Sequence, residues 1–103
     1  MKNIFIPSMV AAELLYGAEK STKRDYNLRI FGAFLSLYQI VSFDSKAAGF
    51  YAAIRSDLES KGQSIGGNDL VIAATALAHE GILVTHNVSK FSRIKGLVLN
   101  DWT

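Results

Sequence analysis

Residues 68–85 impose the tightest constraint on what this chain can fold into. Asn68 opens an Ala-rich apolar stretch, Asp69 to Glu80, that closes at Gly81, and Ile82-Leu83-Val84-Thr85 follows without a linker. A stretch that is small and apolar on most sides reads as a buried helix with a glycine stop. A β-branched run directly after a glycine reads as a buried strand. A buried helix feeding a buried strand belongs to an α/β architecture, because helices must cover such a strand on its faces.

The rest of the chain repeats this alternation. Ile4-Phe5-Ile6 is a short apolar strand stopped by Pro7, and Ser8 is placed to cap a helix running through Tyr16, with Gly17 near its end. Leu28, Phe31, Leu35 and Tyr38 form one helical stripe, and Ile30, Phe34 and Leu37 form a second stripe on an adjoining face. One helix with two apolar faces needs two surfaces to pack on, its own core and another chain. Gln39 to Phe43 alternates as a weaker strand, and Leu97-Val98-Leu99 is another. Between them Ala47, Tyr51, Ile54 and Leu58 mark a further helix, with Asp44 or Ser45 as its cap and Gly62 as its stop. Strands joined by helices of this length form a parallel sheet through right-handed crossovers.

At 103 residues the chain makes one domain, and half of it is hydrophobic, which suffices for a core. It contains no cysteine, which removes disulfides, thiolate metal sites and cysteine nucleophiles. A chain of this size without disulfides is expected in the cytoplasm. No apolar run approaches a membrane span, and Pro7 interrupts the opening MKNIFIPSMV too early for a signal peptide. Eleven basic against nine acidic residues give a net charge of +2, which permits an anionic partner without demanding one.

In an open parallel sheet, chemistry gathers at the carboxyl ends of the strands. Glu13, Asp69 and the segment Thr85-His86-Asn87 fall there. Each has two readings. Asp69 is a helix-start carboxylate favoured by the macrodipole, or a functional group beside a buried helix whose cap Asn68 already supplies. Glu13 is a solvated helix-surface residue or a site carboxylate, and Asn87 is a turn residue or a site ligand. His79 suits the last turn of its helix, and His86 is a loop residue without metal-ligand spacing to His79. The basic residues Lys90, Arg93 and Lys95, and Lys20, Lys23 and Arg24, are surface charges or phosphate contacts near the carboxylates. The glycine-rich run Gly62 to Gly67 lacks the Gly-Lys-Ser/Thr of a P-loop, and no Gly-x-Ser-x-Gly elbow occurs.

Several blocks, in order and along the whole chain, resemble the VapC-type PIN-domain toxins. Pro7 to Ser21 resembles their S-x-x-x-x-E-L-x-Y-G-x-E-K-S block, and Ile65 to Ala74 their IG-x-ND-x-x-IAA block. Leu83-Val84-Thr85-His86-Asn87 with Phe91-Ser92-Arg93-Ile94 resembles LVT-x-N-x-x-x-F-x-R-[VI], and Leu99 to Trp102 the closing (D/N)W. The resemblance implies a three-layer α/β/α sandwich with a parallel sheet. It also implies a metal-dependent endoribonuclease that is the toxin of a toxin–antitoxin pair. By motif, Glu13, Asp69 and Asn87 become the catalytic and Mg²⁺- or Mn²⁺-binding residues, Thr85 shapes the pocket, and Lys90 and Arg93 stand near RNA. The implied partners are RNA, including transfer RNA, a VapB-like antitoxin and a second copy in a homodimer, with no membrane.

One departure qualifies the implied activity. Family members open with a strand ending in L-D-T-N, whose aspartate is a principal metal ligand, whereas this sequence starts at what resembles the second strand. A strand and its crossover, about 30 residues, would precede it. The expectation is a truncated PIN domain over residues 1–103, in which the strands at Ile4–Ile6 and Ile82–Thr85 lose the neighbour between them. A catalytically inactive remnant that serves as an antitoxin-binding and dimerisation module is the alternative, and completion by another chain is the third.

Overall fold

The computed structural model describes residues 5–85 and 88–101. Strand β1 (Phe5–Pro7) runs directly into helix α1 (Ser8–Lys20), which is followed by α2 (Arg24–Leu35) and β2 (Gln39–Val41). Helices α3 (Ser45–Ser60) and α4 (Gly67–Ala78) come next, then β3 (Ile82–Thr85), the short α5 (Val88–Phe91) and β4 (Val98–Asp101). The order of elements matches the alternation in the sequence.

All strand pairing is parallel, as expected, yet it forms two separate pairs. Strand β1 pairs with β2, with Phe5 opposite Gln39 and Pro7 opposite Val41. Strand β3 pairs with β4, from Ile82 opposite Val98 to Thr85 opposite Asp101. No described residue joins β1 to β3, so each keeps one edge without a ladder partner among the described residues. Helix α4 packs on both β1 and β3 and holds the two pairs in one body.

The core forms around α4, whose Leu70, Ile72, Ala73, Ala74 and Ala76 are buried with Ile54 and Leu58 of α3 and Leu83 of β3. Small side chains let α3 and α4 approach closely, which is why the Ala-rich stretch is the centre and not a flank. Thr75, the polar residue in this core, is satisfied within its own helix: its hydroxyl donates to the Val71 carbonyl at 2.7 Å.

The helix ends correct several sequence expectations by one to three residues. Helix α1 starts at Ser8 itself, with Pro7 before it and no side-chain cap, and it continues through Gly17 to Lys20. Pro7 fits there because it needs no amide hydrogen, either as the last strand residue or ahead of a helix. Asp44, of the two candidates, caps α3 by accepting the Ala47 amide at 2.9 Å. Helix α4 starts at Gly67 with Gly66 before it, which moves Asn68 from the cap into the first turn, where Asp69 also lies.

Helices α3 and α4 end in the same way. In α3 the Gln63 amide donates to the Leu58 carbonyl and the Gly62 amide to Glu59, around Gly62 at φ +66°. In α4 the Gly81 amide donates to Ala76 and the Glu80 amide to Leu77. Both are Schellman motifs, which need a left-handed residue just past the helix. In α4 that residue is Glu80, at φ 54°, and not Gly81 as the sequence suggests. Gly81 is small for another reason: the Phe5 ring occupies the space a β-carbon would need.

The first stripe of α2 faces inward, with Leu35 buried and Leu28 and Phe31 half-buried. The second faces out, with Ile30 48% and Phe34 46% exposed, while Leu37 lies in the turn after α2 and is 76% exposed. Among the described residues no helix is long and apolar enough to cross a membrane.

Candidate metal centre

Helix direction brings the key groups together. Helix α4 runs back against the strand it feeds, and its 12 residues span about 18 Å. Its first turn therefore reaches the level of the carboxyl end of β3, where α5 begins. Asp69 stands on that first turn, and Lys90 stands on α5. Lys90 Nζ donates to Asp69 Oδ2 at 2.9 Å.

This ion pair differs from the other lysine and arginine pairs among the described residues. The pairs Arg24–Glu19, Arg24–Asp25, Arg55–Glu59 and Lys61–Asp57 join near neighbours in sequence, and every side chain in them is more than 40% exposed. Asp69 and Lys90 are 21 residues apart, and the Asp69 side chain is 26% exposed. The base of Lys90 is fixed, because its neighbour Phe91 and the following Ile94 are both buried in the core. The Asp69 carboxylate also folds back over Gly66, with Oδ2 3.5 Å from where a β-carbon on Gly66 would lie.

The other candidates fall in different places. Glu13 is the sixth residue of α1 and is exposed, and the buried Ala11 two positions earlier lies about 200° away around the helix. Helices α1 and α4 pack together, yet no hydrogen bond joins Glu13 to Asp69 among the described residues. Thr85 ends β3, opposite Asp101 of β4. Asn87 lies outside the described residues. Arg93 donates to the Gln63 carbonyl at 3.5 Å.

Two further basic residues have local partners. Arg24 is bound by Glu19, whose hydrogen bond is the main cause that raises the guanidinium pKa above its ordinary value. Lys20 lies over the Tyr16 ring at 5.4 Å. Lys90 is thus the basic residue that meets a candidate carboxylate. Its 21-residue separation from Asp69 left no periodic signal by which the sequence could reveal the pair.

His79 sits at the end of α4 with its ring edge-on to Phe5 and Nε2 3.7 Å from Asp44 Oδ2. A cavity of about 170 Å³ between α3 and the start of α4 is lined by Tyr51, Arg55, Leu58, Ile65 and Leu70, and neither Glu13 nor Asp69 lines it.

The donors present suit a hard divalent cation in kind, since they are carboxylate oxygens in a chain without thiolates. They do not complete a coordination shell: among the described residues no group of three or more His, Asp or Glu is placed to hold a metal ion.

Comparison with known proteins places this geometry in a family. The model of the PIN domain matches residues 1–97. The chain is 44% identical over 99 residues to Ribonuclease VapC2 of Rickettsia felis, covering 96% of this chain and 74% of that protein. It is 37% identical over 97 residues to the tRNA(fMet)-specific endonuclease VapC of Salmonella typhimurium, covering 94% of this chain and 74% of that protein. Its structure superimposes on the crystal structure of VapBC2 from Rickettsia felis bound to a promoter DNA fragment with a TM-score of 0.93. That match has 44% identity and covers 98% of this chain and 76% of the other. PIN nucleases as a family depend in general on divalent metal. An α/β body with parallel strands and a carboxylate on the first turn of its buried helix is therefore a relative of known enzymes, and the chain belongs to the PIN domain family, with the VapC ribonucleases.

Proposed function

We propose that this chain is an endoribonuclease of the VapC kind, one domain that hydrolyses RNA phosphodiester bonds in the cytoplasm as the toxin of a toxin–antitoxin pair. The observation that carries the reading is Asp69, a half-buried carboxylate on the first turn of the buried helix, tied to a lysine on the short helix after β3. Its relatives include a ribonuclease and a tRNA(fMet)-specific endonuclease, which supports RNA as the substrate, transfer RNA included.

Asp69 and Glu13 would hold the metal, Mg²⁺ or Mn²⁺, with Asn87 as a third ligand and Thr85 shaping the pocket. A divalent cation in such a site lowers the pKa of a bound water and offsets charge on the scissile phosphate. Asp69 serves this role because the first turn of α4 fixes its backbone and burial in the core fixes the helix. Lys90 supplies positive charge beside the carboxylate, where an anionic backbone would approach.

The test is cleavage of RNA by the chain with Mg²⁺ or Mn²⁺, with a chelator, and with Asp69→Ala. The expected result is cleavage that disappears both with the chelator and in the variant. Cleavage that persists unchanged in Asp69→Ala overturns the assignment.

A second reading draws on the exposed stripe Ile30, Phe34 and Leu37. An apolar helical face of this kind fits a protein partner, and solved relatives are complexes of VapB with VapC. In this reading the chain binds a VapB-like antitoxin or a second copy of itself. A folded chain that binds antitoxin and cleaves no RNA under any metal condition selects this reading over the first.

A further inference from the structure

We propose that Lys90 is a built-in counter-ion of Asp69, which a divalent cation must displace to occupy the site. Lys90 thereby sets the metal concentration at which the site fills. This rests on Asp69 being a metal ligand, as proposed above.

The inference comes from geometry. The ammonium donates to the carboxylate at 2.9 Å, a length typical of a charge-assisted hydrogen bond. The lysine is held in place from below, because Phe91 and Ile94 on either side of the turn are buried at 4% exposure. Its partner is held equally well, on the first turn of a helix whose Leu70, Ile72 and Ala73 lie in the core. The pair therefore does not depend on two long side chains meeting by chance, unlike the exposed local pairs on α1, α2 and α3.

A metal ion and an ammonium group compete for the same electron pairs. A divalent cation approaching Asp69 meets a like charge one hydrogen bond away, and to bind at Oδ2 it must expel the lysine. The Lys90 side chain is 41% exposed, so it has solvent to move into when expelled. Metal binding then includes the loss of one ion pair, and its apparent affinity is lowered by that amount.

The test is Mn²⁺ binding, measured by calorimetry or electron paramagnetic resonance on the full chain without RNA. The proteins are wild type, Lys90→Met, Lys90→Arg and Asp69→Asn. Lys90→Met keeps the length of the side chain and removes its charge, and at a surface position it is not expected to unfold the chain, which circular dichroism checks. The expected result is Mn²⁺ binding about three- to tenfold tighter in Lys90→Met than in wild type, the size set by loss of a partly exposed pair facing a doubly charged ion. Lys90→Arg keeps the charge and should bind as wild type does.

Equal or weaker binding by Lys90→Met overturns the proposal, as does absence of Mn²⁺ binding by both proteins. Asp69→Asn separates this failure from failure of the underlying assignment. If Asp69→Asn binds Mn²⁺ as wild type does, the metal is not at Asp69 and the reading of the site fails, whatever Lys90 does.

Discussion

The ring of Phe5 lies against the backbone of Gly81, in the volume that a β-carbon on residue 81 would occupy. This contact joins the first residue of β1 to the residue that precedes β3, so it fixes the spacing of the two strand pairs at one end. Gly81→Ala should therefore destabilise the chain, since the added methyl pushes into a ring and not into open space. A cost of about 1–3 kcal/mol is expected for overpacking of this kind. Chemical denaturation measures it, and a loss below about 0.5 kcal/mol would show that Phe5 can move aside freely.

One residue earlier the sign reverses. Glu80 adopts φ 54° at the position where the Schellman motif of α4 needs a left-handed residue, while the equivalent place in α3 holds Gly62. An L side chain there carries a steric cost of about 1–2 kcal/mol that glycine avoids. Glu80→Gly should then stabilise the chain by about 1 kcal/mol, part of the gain being lost to the more flexible unfolded glycine. For a domain of this size that raises Tm by about 4–8 °C. An unchanged or lower Tm would contradict the motif.

These two neighbours show what a sequence conveys about a fold and what it withholds. Apolar spacing locates the helices, because burial of one face is a local periodic signal: Leu28, Phe31 and Leu35 turn inward as spaced. A glycine stop is read from the same local pattern, and it misplaces the left-handed residue by one because Gly81 is small on account of Phe5, distant in sequence. The strands are visible as short β-branched runs, but their pairing into two parallel pairs depends on partners about 15 to 35 residues away. The site divides in the same way. Asp69 stands out in the sequence as a carboxylate beside a buried helix, while its ion pair with Lys90 arises only when α4 and α5 are packed. Glu13 keeps both of its sequence readings, since the structure leaves it on the exposed side of α1.

The outer face of α2 and the turn that follows it give a prediction about association. Ile30, Phe34 and Leu37 contribute little to this chain's own core, so replacing all three with polar residues should change its stability by little, about 0.5 kcal/mol or less at each site. If the stripe binds a protein partner, the same substitutions should abolish that complex, as size-exclusion chromatography with an antitoxin would show. Complex formation that survives them would move the contact to another surface.

Asp69 supports the chain as well as the proposed chemistry, and the two contributions can be separated. Its carboxylate sits in the first turn of α4, where the helix dipole favours negative charge, and it pairs with Lys90. The dipole contributes about 0.3–1 kcal/mol and a partly exposed pair about 0–1 kcal/mol. Asp69→Asn should thus cost about 1 kcal/mol by urea denaturation, and the cost should shrink in 1 M salt, where the Debye length falls to about 3 Å. A loss this small leaves the chain folded, so loss of RNA cleavage in the same variant can be assigned to the site and not to unfolding. If Asp69→Asn instead stabilises the chain, the carboxylate is held against its surroundings, and the compensation assigned to Lys90 is absent.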